Sequence, residues 1–180
     1  MAVASEASLT CQTPQLSANS ALGESVGQSA RQIAKRDRET FFMVHPEWAK
    51  FYAKRVLCVA LCQGAAQHYD DGVTGINDFD VYTFYKKHPL KNWYAKRIKC
   101  YDFGNPKFGK SVDKPGFIGR RVDCLSRAID VNRMEDAVSA LRRYLTERKT
   151  ETAKLLSAKA VLLLEPNCGR IILHPGGIDE

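Results

Sequence analysis

Gly72 to Tyr85 reads GVTGINDFDVYTFY, and the phase of its side chains decides how the rest of the chain is arranged. Taken as a strand, it points Asp78, Asp80, Tyr82 and Phe84 to one face and Phe79, Val81, Thr83 and Tyr85 to the other. Both faces become apolar after Asp80, the pattern of a strand that enters the interior of a sheet with two carboxylates at its mouth. Side chains two apart on a strand start about 6.7 Å from each other. Acidic groups so placed lean together only around a cation, and the simplest cation is a metal ion. A solvated turn capped by aspartates is the competing reading of this stretch.

The chain has 180 residues, enough for one domain with a real core. Its formal charge of +7 is concentrated. Lys86 to Arg121 holds eleven basic residues against two acids, Asp102 and Asp113, so the remainder is slightly acidic. Five of the six cysteines, Cys58, Cys62, Cys100, Cys124 and Cys168, mostly sit within apolar runs of a chain too long to need staples. They read as reduced core residues. A zinc site from Cys58 and Cys62 with His45 or His68 lacks the second ligand pair that would support it. No apolar run is long enough to span a membrane, and the N-terminus lacks a secretory pattern, so the expected compartment is the cytoplasm.

Residues 1 to 36 are rich in Ala, Ser and Gln without a sustained period, which predicts a disordered or loosely helical tail ahead of a single domain at 37–180. Aromatic and apolar spacing predicts a helix near Pro46 to Lys54, with Pro46 in its first turn. Arg55 to Cys62 is a continuous apolar run. The small residues Gln63-Gly64-Ala65-Ala66-Gln67 follow it, either as a turn whose backbone N–H groups a phosphate could approach or as the continuation of a helix. Further on, a short helix is expected at Trp93-Tyr94, a strand over 97–103, a long glycine-containing loop over 104–119 and a strand over 117–126. Asp123 is the one acid in that last strand, beside Arg120 and Arg121. Helices over 133–148 and 151–158 and a hairpin of 160–164 with 170–173 complete the order. The expected fold class is α+β, a mixed β-sheet flanked by helices.

Gly64-Ala65 after an apolar strand, Asp78-x-Asp80 on the next strand and Asp123 on a later one together resemble the nucleotidyltransferase superfamily typified by DNA polymerase beta. That family carries a Gly-Ser turn, two acids on a strand about a dozen residues later, and a third acid on a neighbouring strand. The resemblance covers about Trp48 to Ile129. It implies that Gly64 takes the first position of the turn, that Asp78 and Asp80 are the metal-binding pair and that Asp123 is the third carboxylate. Ala65 stands where the family has Ser, which removes one hydroxyl contact to the triphosphate.

The activity implied is metal-dependent transfer of a nucleoside monophosphate from a nucleoside triphosphate to an acceptor hydroxyl on RNA, a protein or a small molecule. Mg²⁺ or Mn²⁺ suits three aspartates, because hard cations take carboxylate and water oxygens. Lys107, Lys110, Arg120 and Arg121 are the candidate phosphate contacts, alongside Gly64 and Ala65. Two other classes fit the same residues. A non-catalytic nucleic-acid-binding protein would use the basic segment with Phe84, Tyr85, Trp93, Tyr94, Tyr101, Phe103 and Phe108 as stacking platforms. A metal-dependent phosphohydrolase would turn the same carboxylates on water.

Overall fold

The computed structural model describes residues 24–100 and 121–174. In chain order its elements are α1 (Glu24–Val44), α2 (Pro46–Tyr52), β1 (Val56–Cys62), α3 (Gln63–Asp71), β2 (Asp78–Lys86), β3 (Tyr94–Cys100), β4 (Arg121–Ile129), α4 (Ala137–Glu147), α5 (Glu151–Leu156), β5 (Val161–Glu165) and β6 (Arg170–Leu173). The strands form one mixed sheet in the order β3-β4-β2-β1-β5-β6. β2 runs parallel to β4, and every other neighbouring pair is antiparallel. The chain is therefore α+β, with β1 and β2 at the centre of the sheet.

Alternation along those central strands divides the core into two layers. Val59, Leu61, Phe79, Val81, Val122 and Cys124 meet α1 and α3 on one face. Cys58, Ala60, Cys62, Tyr82, Phe84 and Leu125 meet α4 and α5 on the other. The strand phase read from Gly72 to Tyr85 holds: Asp78 and Asp80 are half-buried, and the residues after them are buried until Lys86. Gly72 closes α3 in the left-handed conformation at φ 71°, and its N–H donates to the His68 carbonyl at 2.8 Å.

The packed body begins earlier than the expected boundary at residue 36. From Glu24 the chain is helical, and Val26, Ala30, Ile33 and Ala34 are buried against the sheet. They recur at helical spacing. Two of the four are alanines, so the stripe lacks the bulky side chains that mark an amphipathic helix. Residues 1–23 lie outside the described residues.

The same helix is clamped to the sheet edge by charge. Arg97 Nε on β3 donates to Asp37 Oδ2 at 2.6 Å, and the guanidinium lies 4.6 Å from the Phe41 ring centroid. Asp37 is only 5% exposed. Asp37→Ala would strand a half-buried guanidinium, and the expected loss is about 3 kcal/mol, readable as a lower urea midpoint at unchanged slope.

Other departures are local. Tyr94 starts β3 instead of a helix, because Trp93 is pulled into an aromatic cluster with Tyr52 and Tyr85 and the chain continues extended beyond it. The expected strand at 97–103 thus begins three residues earlier; residues 101–103 and 117–120, with the loop between them, lie outside the described residues. Helix α4 starts at Ala137 and not at Arg133. Asp136 caps it, accepting from the Val138 and Ser139 N–H groups at 2.9 and 3.1 Å, while Met134 sits at φ 68° and is fully exposed. Phe84, Tyr85 and Trp93 are buried core residues, so these three do not serve as stacking platforms.

Candidate active site

The site is built at the ends of β1, β2 and β4. Parallel pairing sets Asp78 beside Arg121 and Asp80 beside Asp123, and antiparallel pairing sets Cys62 beside Asp80. Register partners share a sheet face, so all five side chains belong to the α4/α5 side, the face of Tyr82 and Leu125. The three acids expected to meet are on adjacent strands at one end of the sheet. Gly64 and Ala65 also reach this end, since α3 begins directly after Cys62. The expected turn of small residues is the first turn of that helix, and Cys62 at its N-cap makes no side-chain hydrogen bond to it. Ala65 is buried beneath the helix. Lys107, Lys110 and Arg120 lie outside the described residues.

The cation between the carboxylates is a side chain. Arg121 Nη2 donates to Asp78 Oδ2 at 3.0 Å, and its Nε lies 3.2 Å from Asp123 Oδ1, so one guanidinium spans two acids of the site. The second contact is an ion pair without hydrogen-bond geometry. Buried Oδ1 of Asp123 accordingly has no hydrogen-bond donor among the described residues. Its other oxygen, Oδ2, takes Lys96 Nζ at 2.6 Å. Among the described residues no three His, Cys, Asp or Glu side chains are grouped so as to hold a metal ion; the acids face Lys96 and Arg121 instead.

Burial separates the roles within this group. Asp123 is 1% exposed, while the side chains of Lys96 and Arg121 are 41% and 48% exposed. The carboxylate is fixed by the strand, and the cations reach it from solvent on long flexible stems. Asp80 has neither cation as a direct partner. Its burial, with the Asp78 and Asp123 charges nearby, pushes its carboxyl up to about 6, against a smaller opposing pull from Lys96 and Arg121. Hydrogen bonding to Asp123 raises the Lys96 ammonium in turn. Among the described residues, three carboxylates thus face two cations.

Lys96 is the residue that sequence reasoning missed. It pairs in register with Leu125, which puts it on the face of the acids one step from Asp123. The signal was the start of the alternation: beginning the strand at Tyr94 places Lys96 and Ile98 on one face, whereas a strand begun at Arg97 leaves Lys96 in a loop. The cysteines next to the site are packing groups. Burial pushes the Cys58 thiol up to about 12, and burial together with Asp80 raises Cys62 well above the usual thiol range, so neither is poised as a nucleophile or metal ligand.

Comparison of the chain with protein-family models, with curated proteins and with solved structures finds no match.

Proposed function

We propose that the protein is a metal-dependent nucleotidyltransferase that moves a nucleoside monophosphate from a nucleoside triphosphate to an acceptor hydroxyl. The observation that carries this reading is the register: Asp80 and Asp123 are side-by-side partners on parallel strands, with Asp78 on the same face and the first turn of α3 at the same end of the sheet. This matches the order of parts in the polymerase beta-like superfamily that the sequence resembles.

The residues fit a hard divalent cation such as Mg²⁺ or Mn²⁺. A buried carboxylate oxygen of Asp123 lacks a donor among the described residues, Asp80 carries an unfavourable charge, and all the ligating atoms on offer are oxygens. Asp78, Asp80 and Asp123 would hold the metal. When bound, it would neutralise triphosphate charge and make the acceptor hydroxyl a better nucleophile. Lys96 and Arg121 stand in for it in the free protein and are exposed enough to swing away.

Arg121, released from Asp78 and Asp123, then has a bidentate guanidinium to offer phosphate oxygens. The first turn of α3 has no side-chain cap, which leaves its N–H groups to offer the same phosphates, and a Cβ at Gly64 would stand in ordinary contact with the Gly75 carbonyl oxygen at 3.7 Å. Asp123, on the strand flanked by the basic segment, would take the acceptor proton.

The test is a thermal-shift titration with Mg²⁺ and each common nucleoside triphosphate, run beside a labelled-nucleotide transfer assay. Metal and triphosphate together should stabilise more than the sum of each alone, because phosphate draws Arg121 off the acids that metal needs. No shift with any triphosphate would remove this reading. Release of free nucleoside monophosphate with no labelled acceptor would replace it with hydrolysis. Lys96→Met should lower the Mg²⁺ concentration at half-maximal shift, since it deletes the ammonium competing for Asp123; an unchanged or higher concentration would mean that Lys96 does not occupy the metal's place.

A further inference from the structure

At the opposite end of the sheet, the end of α2, the start of β1 and the end of β2 frame a cleft of about 690 Å³, within the range of ligand sites. Four cations line it: Lys50, Lys54, Arg55 and Lys86. No acidic one does among the described residues. Among the described residues none of these four is in an ion pair, whereas Lys87 beside them pairs with Asp130 at 3.7 Å, and Lys96, Arg97 and Arg121 all have carboxylate partners. The helix C-terminus accounts for Lys50, which lies in the last turn of α2. It leaves Lys54, Arg55 and Lys86 unexplained.

We infer that this cleft binds the phosphate backbone of a single-stranded nucleic acid. Like charges gathered without counterions repel, so a preformed basic cleft gains by taking up an anion. The cations come from two separate stretches of chain, residues 50–55 and Lys86. The N–H groups of Ala53, Arg55 and Lys86 are taken by the carbonyls of Ala49, Tyr52 and Arg55, so these do not converge on one compact phosphate. Between the charges the wall is apolar, formed by Ala49, Phe51, Val56 and Leu57, all half-buried. Charged heads that follow a backbone over an apolar floor that accepts sugars and bases are the makings of a sequence-tolerant single-strand site. Lys86 lies six residues beyond Asp80 on β2, about 20 Å at 3.3 Å per residue, so the site stands apart from Asp80.

The experiment measures binding of a labelled single-stranded oligouridylate to the full chain across a salt series without divalent metal. Wild type should bind with a marked salt dependence. The double variant Lys54→Ala/Lys86→Ala should bind about tenfold more weakly, with its log–log salt slope reduced by about 1.4, at about 0.7 per lost charge on a single strand. Both side chains are exposed, so its thermal midpoint should equal that of wild type. Asp80→Asn should bind at least as well as wild type, which keeps this result separate from the nucleotidyltransferase reading. Equal affinity in wild type and the double variant would overturn the assignment, as would absence of salt-dependent binding. Binding of pyrophosphate or free triphosphate that the double variant loses, without any oligonucleotide binding, would overturn it in favour of a small-anion site.

Discussion

Asp80→Asn is expected to abolish nucleotide transfer, lowering turnover by about 10³-fold, the upper range for losing one preorganised charge-stabilising group. It should also eliminate the stabilisation by Mg²⁺ that wild type shows. The same substitution should raise the thermal midpoint of the metal-free protein at neutral pH, because asparagine keeps the shape of Asp80 without its charge. The sign follows from the carboxyl standing at about 6 in the folded chain against 3.8 in the unfolded one. Between those values the folded chain keeps a proton that the unfolded chain has released, so the Asp80 contribution to stability falls as pH rises from about 4 to about 6 and is constant above. Wild type and Asp80→Asn should therefore have similar midpoints near pH 4 and diverge by pH 7, with the variant higher. Thermal melts of both proteins from pH 4 to pH 8 measure this directly. A variant less stable than wild type at pH 7 without metal would mean that Asp80 is satisfied within the protein and has no need of a cation. Loss of the pH divergence on adding Mg²⁺ to wild type would locate the metal at Asp80.

Removal of residues 1–35 should destabilise the protein by about 5 kcal/mol, roughly 15 °C in the thermal midpoint, because it deletes Val26, Ala30, Ile33 and Ala34 and uncovers Val59, Leu61, Phe79 and Val81 beneath them. That is a large part of the stability of an ordinary domain. Ile33→Asp isolates the effect at one position, and burying an unpaired carboxylate there should unfold α1 from the sheet. A midpoint unchanged by both would mean that α1 contributes no packing energy. Because β2 and β4 carry the acids on the far face, loss of α1 should loosen the strands that set the Asp80–Asp123 register, and metal binding should weaken with it.

The apolar runs and their periods were local information, and the sequence by itself determined what depended on them: the phase of Asp78 and Asp80 on β2, the α4 and α5 pair and the closing hairpin; whether the apolar run before Gln63 is a strand or a helix stayed open in the sequence. The face shared by Asp78 and Asp80 could be foreseen because alternation is fixed once a strand is recognised, whereas Asp123 joins that face only through the register of β4 on β2. Where the local signal was weak, the reading stopped short, as with the alanine-bearing stripe of α1. What fills the space between the acids was decided by the tertiary structure. Lys96, Arg121 and Asp37 with Arg97 are ordinary charged residues in sequence, and their partners lie across strand pairings: Asp78 with Arg121, 43 residues apart, and Asp37 with Arg97, 60 residues apart. No period along the chain encodes such pairs, because a salt bridge depends on which strands become neighbours and in what register, and that is settled only when the sheet assembles around its buried faces.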